Sequence, residues 1–240
     1  MRIPMLGREP TFPPPEGASP DGIVAFGGEP SPERLLAAYA RGIFPWPHRD
    51  LPLLWFSPDP RFVIEPARAH VPASLRKRMR RGGYEIRADT AFHEVMLGCR
   101  SAPRPGQDGT WITPEMIAGY EALHRLGYAH SIEAYEDGAL VGGLYGVSLG
   151  RMFTGESMFA VAPDASKVAF ATLLGNFVAW GFAFVDCEVY TPHLARFGGE
   201  EWPRPRFLQA LAAALEAPAK TGPWTLDLDP KEAVERLPRG

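Results

Sequence analysis

Acid side chains stand inside otherwise apolar runs at two places in this chain. Glu156 lies in Gly155-Glu156-Ser157-Met158-Phe159, and Asp186 and Glu188 flank Cys187. Burying a carboxylate without a partner is expensive, so two such places mark a candidate site. In a strand, residues two apart share a face. Asp186 and Glu188 would then face the same way as Phe184 and Tyr190. Two like charges that close raise at least one pKa unless a cation intervenes. Spacing alone leaves a plainer alternative open, namely an edge strand with solvated acids or acids paired to arginines. Glu156 reads equally as a hydrogen-bonded structural acid.

A second kind of chemistry is offered by Arg76-Lys77-Arg78-Met79-Arg80-Arg81, five cations in six residues. A solvated helix face is the ordinary explanation of a charge run. Contact with a phosphate backbone is the other, and it suits a cluster standing out from an acidic chain. Trp46 and Trp55 lie among prolines, a rigid setting that presents aromatic planes. His130 and His193 are each able to act as a general base. Neither has a ligand-spaced partner, so neither implies a metal, and both are read as structural or orienting.

Composition sets the bounds. The chain has 240 residues, 45% of them hydrophobic, enough for a large domain plus a small one. Net charge is −3, so any polyanion must be met by a local basic patch. Cys99 and Cys187 make no disulfide framework and read as small buried hydrophobes in a reducing compartment. No apolar run is long enough to span a bilayer, and Met1 to Pro15 lacks the apolar core of a signal peptide. The expected address is the cytoplasm, with no membrane partner and a monomeric chain.

The elements that must position these groups follow from local signals. Residues 1–30 read as irregular chain. Ser31-Pro32 starts a helix that Gly42 ends. Prolines between Phe44 and Pro60 predict a rigid loop. Pro72 to Arg81 predicts a basic helix and Tyr84 to Ala88 a strand. Asp89 or Thr90 is expected to cap a helix through Cys99, with a polar loop over 101–109. Thr113-Pro114 opens a helix running to Gly127. An antiparallel meander follows over 131–136, 139–147 and 151–160, turning at Asp137-Gly138 and near Gly150. Ser166 to Trp180 predicts an amphipathic helix, Phe182 to Tyr190 a strand, Thr191-Pro192 a short helix, and Arg206 to Glu216 a final one. The boundary between a small N-terminal domain, 1–62, and the remainder, 63–240, is placed in the Pro58–Pro66 region. The expected class is α+β, and the order of elements fits an acetyltransferase-like (GNAT-like) C-terminal domain.

Taken with Gly42-Ile43-Phe44-Pro45-Trp46, Trp55-Phe56-Ser57-Pro58-Asp59-Pro60-Arg61 and Thr110-Trp111-Ile112-Thr113, the two acidic motifs resemble those of the leucyl/phenylalanyl-tRNA–protein transferases. The resemblance runs from about Phe12 to Leu208 and implies an acetyltransferase-like domain behind a small N-terminal one. It implies transfer of Leu, Phe or Met from aminoacyl-tRNA to acceptor proteins with N-terminal Lys or Arg, marking them for degradation, with no cofactor. Asp186 matches the family's Asp-Cys-Gln motif, whereas Glu188 departs from it, since an ionised carboxylate only accepts hydrogen bonds. Glu156 and Ser157 match Phe-x-Gly-Glu-Ser-Met-Phe, where a carboxylate would hold the α-ammonium of the transferred amino acid. Leu144, Phe153, Met158, Leu173 and Val185 match positions lining the family's side-chain pocket, although each taken singly reads as core. Strand parity sets Val185 opposite Asp186, so both line one site only if the strand is bulged or the pocket wraps its edge. Tyr39, Trp46, Trp111 and Tyr120 align with residues around the tRNA 3′-adenosine, where bases stack on aromatic planes. The basic run Arg76, Lys77, Arg78, Arg80 and Arg81 would meet acceptor-stem phosphates.

Two other classes share parts of this pattern. A coenzyme-A-dependent N-acetyltransferase would be expected to carry a glycine-rich pyrophosphate loop before the helix at 166–180, and Ala162 to Lys167 contain no glycine. A non-catalytic tRNA-binding module would explain the cations and aromatics but not the acids.

Overall fold

A computed structural model describes residues 3–103 and 110–238. The part of the expected 101–109 loop from 104 onward lies outside the described residues.

Two sheets organise an α+β fold. In the smaller, β1 (Ile23–Phe26) and β2 (Phe44–Trp46) flank β3 (Leu54–Phe56), all antiparallel. Sequence alone predicts irregular chain and loop here. The strands are three or four residues long, and Pro45 is tolerated because β2 is an edge strand. Between β1 and β2 runs α1 (Pro32–Tyr39), whose Ser31 side chain accepts from Arg34 N–H as expected of an N-cap. Gly42 then takes φ 69°, and a Cβ there would meet the Phe207 ring at 2.6 Å.

The larger sheet has seven strands. The meander stands as expected: β6 (Ala129–Glu136), β7 (Ala139–Leu149) and β8 (Met152–Ala160), antiparallel in sequence. Strand β5 (Glu85–Ala88) pairs outside β6. On the other side β9 (Phe184–Asp186) runs parallel to β8, then come β4 (Arg61–Ile64) and β10 (Glu200–Trp202), both antiparallel. The crossover from β8 to β9 is α5 (Ala165–Trp180), as a parallel pair requires. This helix is buried along most of its length rather than amphipathic, because α8 (Pro230–Arg236) covers its outer side. That last helix carries a capping box between Asp229 and Glu232, and it follows α7 (Arg204–Leu215), which sequence alone takes as final.

Among the described residues the remaining α-helices are α2 (Ala73–Arg81), α3 (Phe92–Ser101), α4 (Pro114–Arg125) and α6 (Pro192–Ala195). Asp89 and Thr90 do not cap α3, whose N-cap is Ala91. Asp89 instead accepts from the Ser131 and Trp224 amides and binds His130 Nδ1 at 2.8 Å, while the Thr90 hydroxyl donates to Glu133. His130 stacks on Trp224, centroids 3.6 Å apart. These groups tie the C-terminal chain to the meander, a structural role.

Candidate active site

A cavity of about 440 Å³ opens where the small sheet meets the middle of the large one. Trp46, from edge strand β2, and Trp111, just ahead of α4, stand on it, both half-buried. Its apolar wall includes Leu144, Met158, Phe170 and Val185. Glu156, Ser157 and Glu188 supply its polar side.

The chain reaches that arrangement by ending β9 early. Asp186 closes the strand, and Glu188 takes φ 64°. The expected strand to Tyr190 is therefore absent, and face-sharing between Asp186 and Glu188 fails with it. Parity does hold for the preceding pair: Val185 lines the cavity, whereas Asp186 is not among its lining residues. Arg61 Nε and Nη2 donate to the two oxygens of Asp186, each at 2.7 Å, with both side chains 1% exposed. Asp186 Oδ1 also accepts from Glu188 N–H at 2.9 Å, which fixes the turn. Arg61 further donates to Gly42 O and lies between the rings of Phe44 and Phe207. Burial alone would lower its pKa, and Asp186 more than offsets that. The sequence signal for this partner is an arginine opening the apolar run Arg61-Phe62-Val63-Ile64, a charge that must be matched once the run is buried.

Glu188 is half-buried, and among the described residues its Oε1 has no hydrogen-bond partner. Burial first, then Glu156 and Asp186, push its pKa well up, against Arg61. The rise favours the neutral carboxyl, which, unlike the carboxylate, can donate a hydrogen bond.

Glu156, in β8, is held from two helices. Tyr39 at the end of α1 donates to Oε1 at 2.6 Å, and Tyr120 in α4 donates to Oε2 at 2.7 Å. Burial raises the Glu156 pKa to about 7, with the two tyrosines opposing and Asp186 adding to the rise. Tyr39 and Tyr120 are essentially inaccessible, at 1% and 0% exposure. In this structure both rings are packed in the core and the hydroxyls are what reaches the site, through Glu156.

Two expected pocket residues stand behind the wall. Phe153 packs against Phe177 and Trp224, and Leu173 is fully buried in the core under the sheet. Phe170 and His193 line the cavity without having been assigned to it. Burial, then Lys167 and Arg196, lower the His193 pKa, which favours the neutral imidazole.

The cations of α2 divide. Arg76 is buried and donates to the carbonyls of Val71, Val234 and Pro238, so it anchors the C-terminal helix and is not free for phosphate. Arg78 lies over the Tyr84 ring and donates to Gly82 O. Arg80 pairs with Glu235 at the surface, and Lys77 and Arg81 are exposed.

An apolar cavity that ends on two carboxyl groups suits a ligand with an apolar body and an amine. The family described as leucyl/phenylalanyl-tRNA protein transferase matches residues 63–212, and its N-terminal domain matches residues 28–59. The chain belongs to that family. It is 62% identical over 214 residues to the leucyl/phenylalanyl-tRNA--protein transferase of Myxococcus xanthus (strain DK1622), covering 89% of this chain and 92% of the relative. Identity to the protein of that name from Anaeromyxobacter sp. (strain Fw109-5) is 57% over 233 residues, 97% of this chain and 99% of that one. The Thiobacillus denitrificans (strain ATCC 25259 / T1) protein of the same name is 54% identical over 218 residues, 90% and 95%. No described helix is long and apolar enough to cross a membrane.

Proposed function

We propose that this chain is an aminoacyltransferase. It moves Leu, Phe or Met from aminoacyl-tRNA to the N-terminal Lys or Arg of an acceptor protein, and so marks that protein for degradation. The observation that carries the reading is the apolar cavity bounded by Glu156 and Glu188 at its polar side and by Trp46 and Trp111. It works in the cytoplasm as a monomer. Residues up to Pro60 act as a small N-terminal domain and those from Arg61 on as an acetyltransferase-like catalytic domain, two residues before the expected division of 1–62 from 63–240 because β4 belongs to the large sheet; the meander, α5 and the parallel β9 support the reading.

The donor's side chain occupies the wall of Leu144, Met158, Phe170 and Val185. A buried methylene is worth about 0.8 kcal/mol, which favours long apolar side chains over Ala. Glu156, with Ser157 beside it, receives the α-amine. The terminal adenine stacks on Trp46 or Trp111, and Lys77, Arg80 and Arg81 meet acceptor-stem phosphates. The acceptor's neutral amine attacks the ester carbonyl. A C–N bond forms, the C–O bond to the ribose breaks, and the amine proton ends on the leaving 3′-oxygen. The ester is already activated, so no ATP, metal or coenzyme enters the balance. Glu188 donates a hydrogen bond to the reacting oxygens, as an amide at that position would. Asp186, locked to Arg61, is a positioning residue that sets the Glu188 turn.

Incubating the protein with leucyl-tRNA and a peptide beginning with Arg tests this reading, with acetyl-coenzyme A as the control donor. Leucyl extension of the peptide is expected. Acetyl extension, or tRNA binding without any product, contradicts it.

A further inference from the structure

Tyr39, Tyr120 and Glu156 close a triangle. Beside the two hydroxyl–carboxyl contacts of 2.6 and 2.7 Å, the hydroxyls themselves lie 2.5 Å apart. Each phenol has one proton to donate. With Glu156 ionised, two protons serve three contacts, and one short contact sets lone pair against lone pair. A third proton, on the carboxyl, completes the cycle. Protonation reverses the Tyr39 contact: Glu156 then donates to Tyr39, Tyr39 to Tyr120, and Tyr120 back to the second carboxyl oxygen, so each group donates once and accepts once.

We propose that Tyr39, Tyr120 and Glu156 form a closed three-proton ring in the unliganded enzyme, and that a bound donor's α-ammonium displaces the carboxyl proton, so that donor binding releases one proton. This rests on Glu156 being the α-amine site. The balance is one positive charge in and one out. The carboxyl O–H bond breaks, its proton passes to the buffer, and an ammonium N–H donates to the carboxylate. Tyr39 and Tyr120 are positioning residues that act through Glu156.

The surroundings favour the ring. The titratable or charged groups acting on Glu156 are Tyr39 on α1, Tyr120 on α4, Arg61 on β4, and Asp186 and Glu188 at the end of β9. Burial first, and Glu156 next, push both phenols well up, so they keep their protons. Glu156 itself is raised to about 7, which puts its charge change near neutrality. An α-amine, with a pKa of about 7.7–8.0, is still largely an ammonium there.

The test is calorimetric binding of an amide-linked leucyl-adenosine analogue, in two buffers of different protonation enthalpy, between about pH 6 and 8. Wild type should release close to one proton at the acid end, and the release should fall as pH rises through the Glu156 range. Glu156→Gln should bind more weakly and release none. Tyr39→Phe and Tyr120→Phe each open the ring that holds the carboxyl proton and should move the midpoint to lower pH, whereas a move to higher pH, the sign expected of phenols that only donate to the carboxylate, overturns the ring. Binding by wild type without pH-dependent release overturns the ring. So does a uniform loss of affinity in both tyrosine variants with no shift of midpoint. Failure of the folded wild type to bind the analogue overturns the donor-site reading itself.

Discussion

Arg61 and Asp186 form a two-point ion pair in the core, with both nitrogen–oxygen contacts at 2.7 Å and neither side chain open to solvent. It joins β4 to β9 in the strip of sheet directly beneath Glu188. Removing one partner leaves the other charged, buried and uncompensated, which costs about 3–5 kcal/mol. Asp186→Asn should therefore lower stability by that order in chemical denaturation. The double variant Arg61→Met/Asp186→Asn should recover part of it. Near-native stability of Asp186→Asn would show that the pair does not hold this strip together.

Glu188 has a raised pKa, so it is protonated below that value and loses its donated hydrogen bond as pH rises through it. Attack by the acceptor amine improves in the opposite direction, as the amine loses its own proton. Single-turnover transfer should rise and then fall with pH in the wild type. Glu188→Gln should keep most of the activity and lose the alkaline fall. An inactive, folded Glu188→Gln would make Glu188 a base rather than a donor.

The helix α2 makes two different demands on its cations. Lys77→Ala with Arg81→Ala should weaken tRNA binding and flatten its salt dependence, with melting unchanged. Arg76→Ala should lower the melting temperature, because three carbonyls, two of them buried, lose their donor. Equal effects of both changes on stability, with tRNA binding intact, would leave the phosphate reading without support.

Met158 lines the cavity and Phe153 does not. Met158→Ala should shift donor preference toward bulkier side chains. Phe153→Ala should cost about 3–5 kcal/mol of stability and leave the ranking of Leu, Phe and Met donors alone. The reverse pattern in a donor competition assay would exchange their roles.

Much of the frame was legible because it follows local rules. Asp137-Gly138 between alternating runs specifies the β6–β7 turn, and Ser31-Pro32 and Thr113-Pro114 specify helix starts that carry the expected side-chain caps. The acidic motifs were legible for a different reason: charge in an apolar run must find a partner. What that partner is was not legible. Arg61 meets Asp186 across two strands far apart in sequence, and the tyrosines reach Glu156 from separate helices. Glu188 escapes strand parity through a left-handed backbone conformation that its residue type does not announce. Arg76 looked like its neighbours in the basic run, yet helical rotation turns it inward with Leu75 and Met79.

The most direct measurement of the central claim is a one-pot competition. The purified protein is mixed with equal amounts of leucyl-, phenylalanyl-, methionyl- and alanyl-tRNA and a peptide beginning with Arg, and the peptide's N-terminus is read by mass spectrometry. Extension by Leu, Phe or Met with little or no Ala is the predicted result. Extension by Ala at a comparable rate, or no extension by a folded protein, would contradict the account.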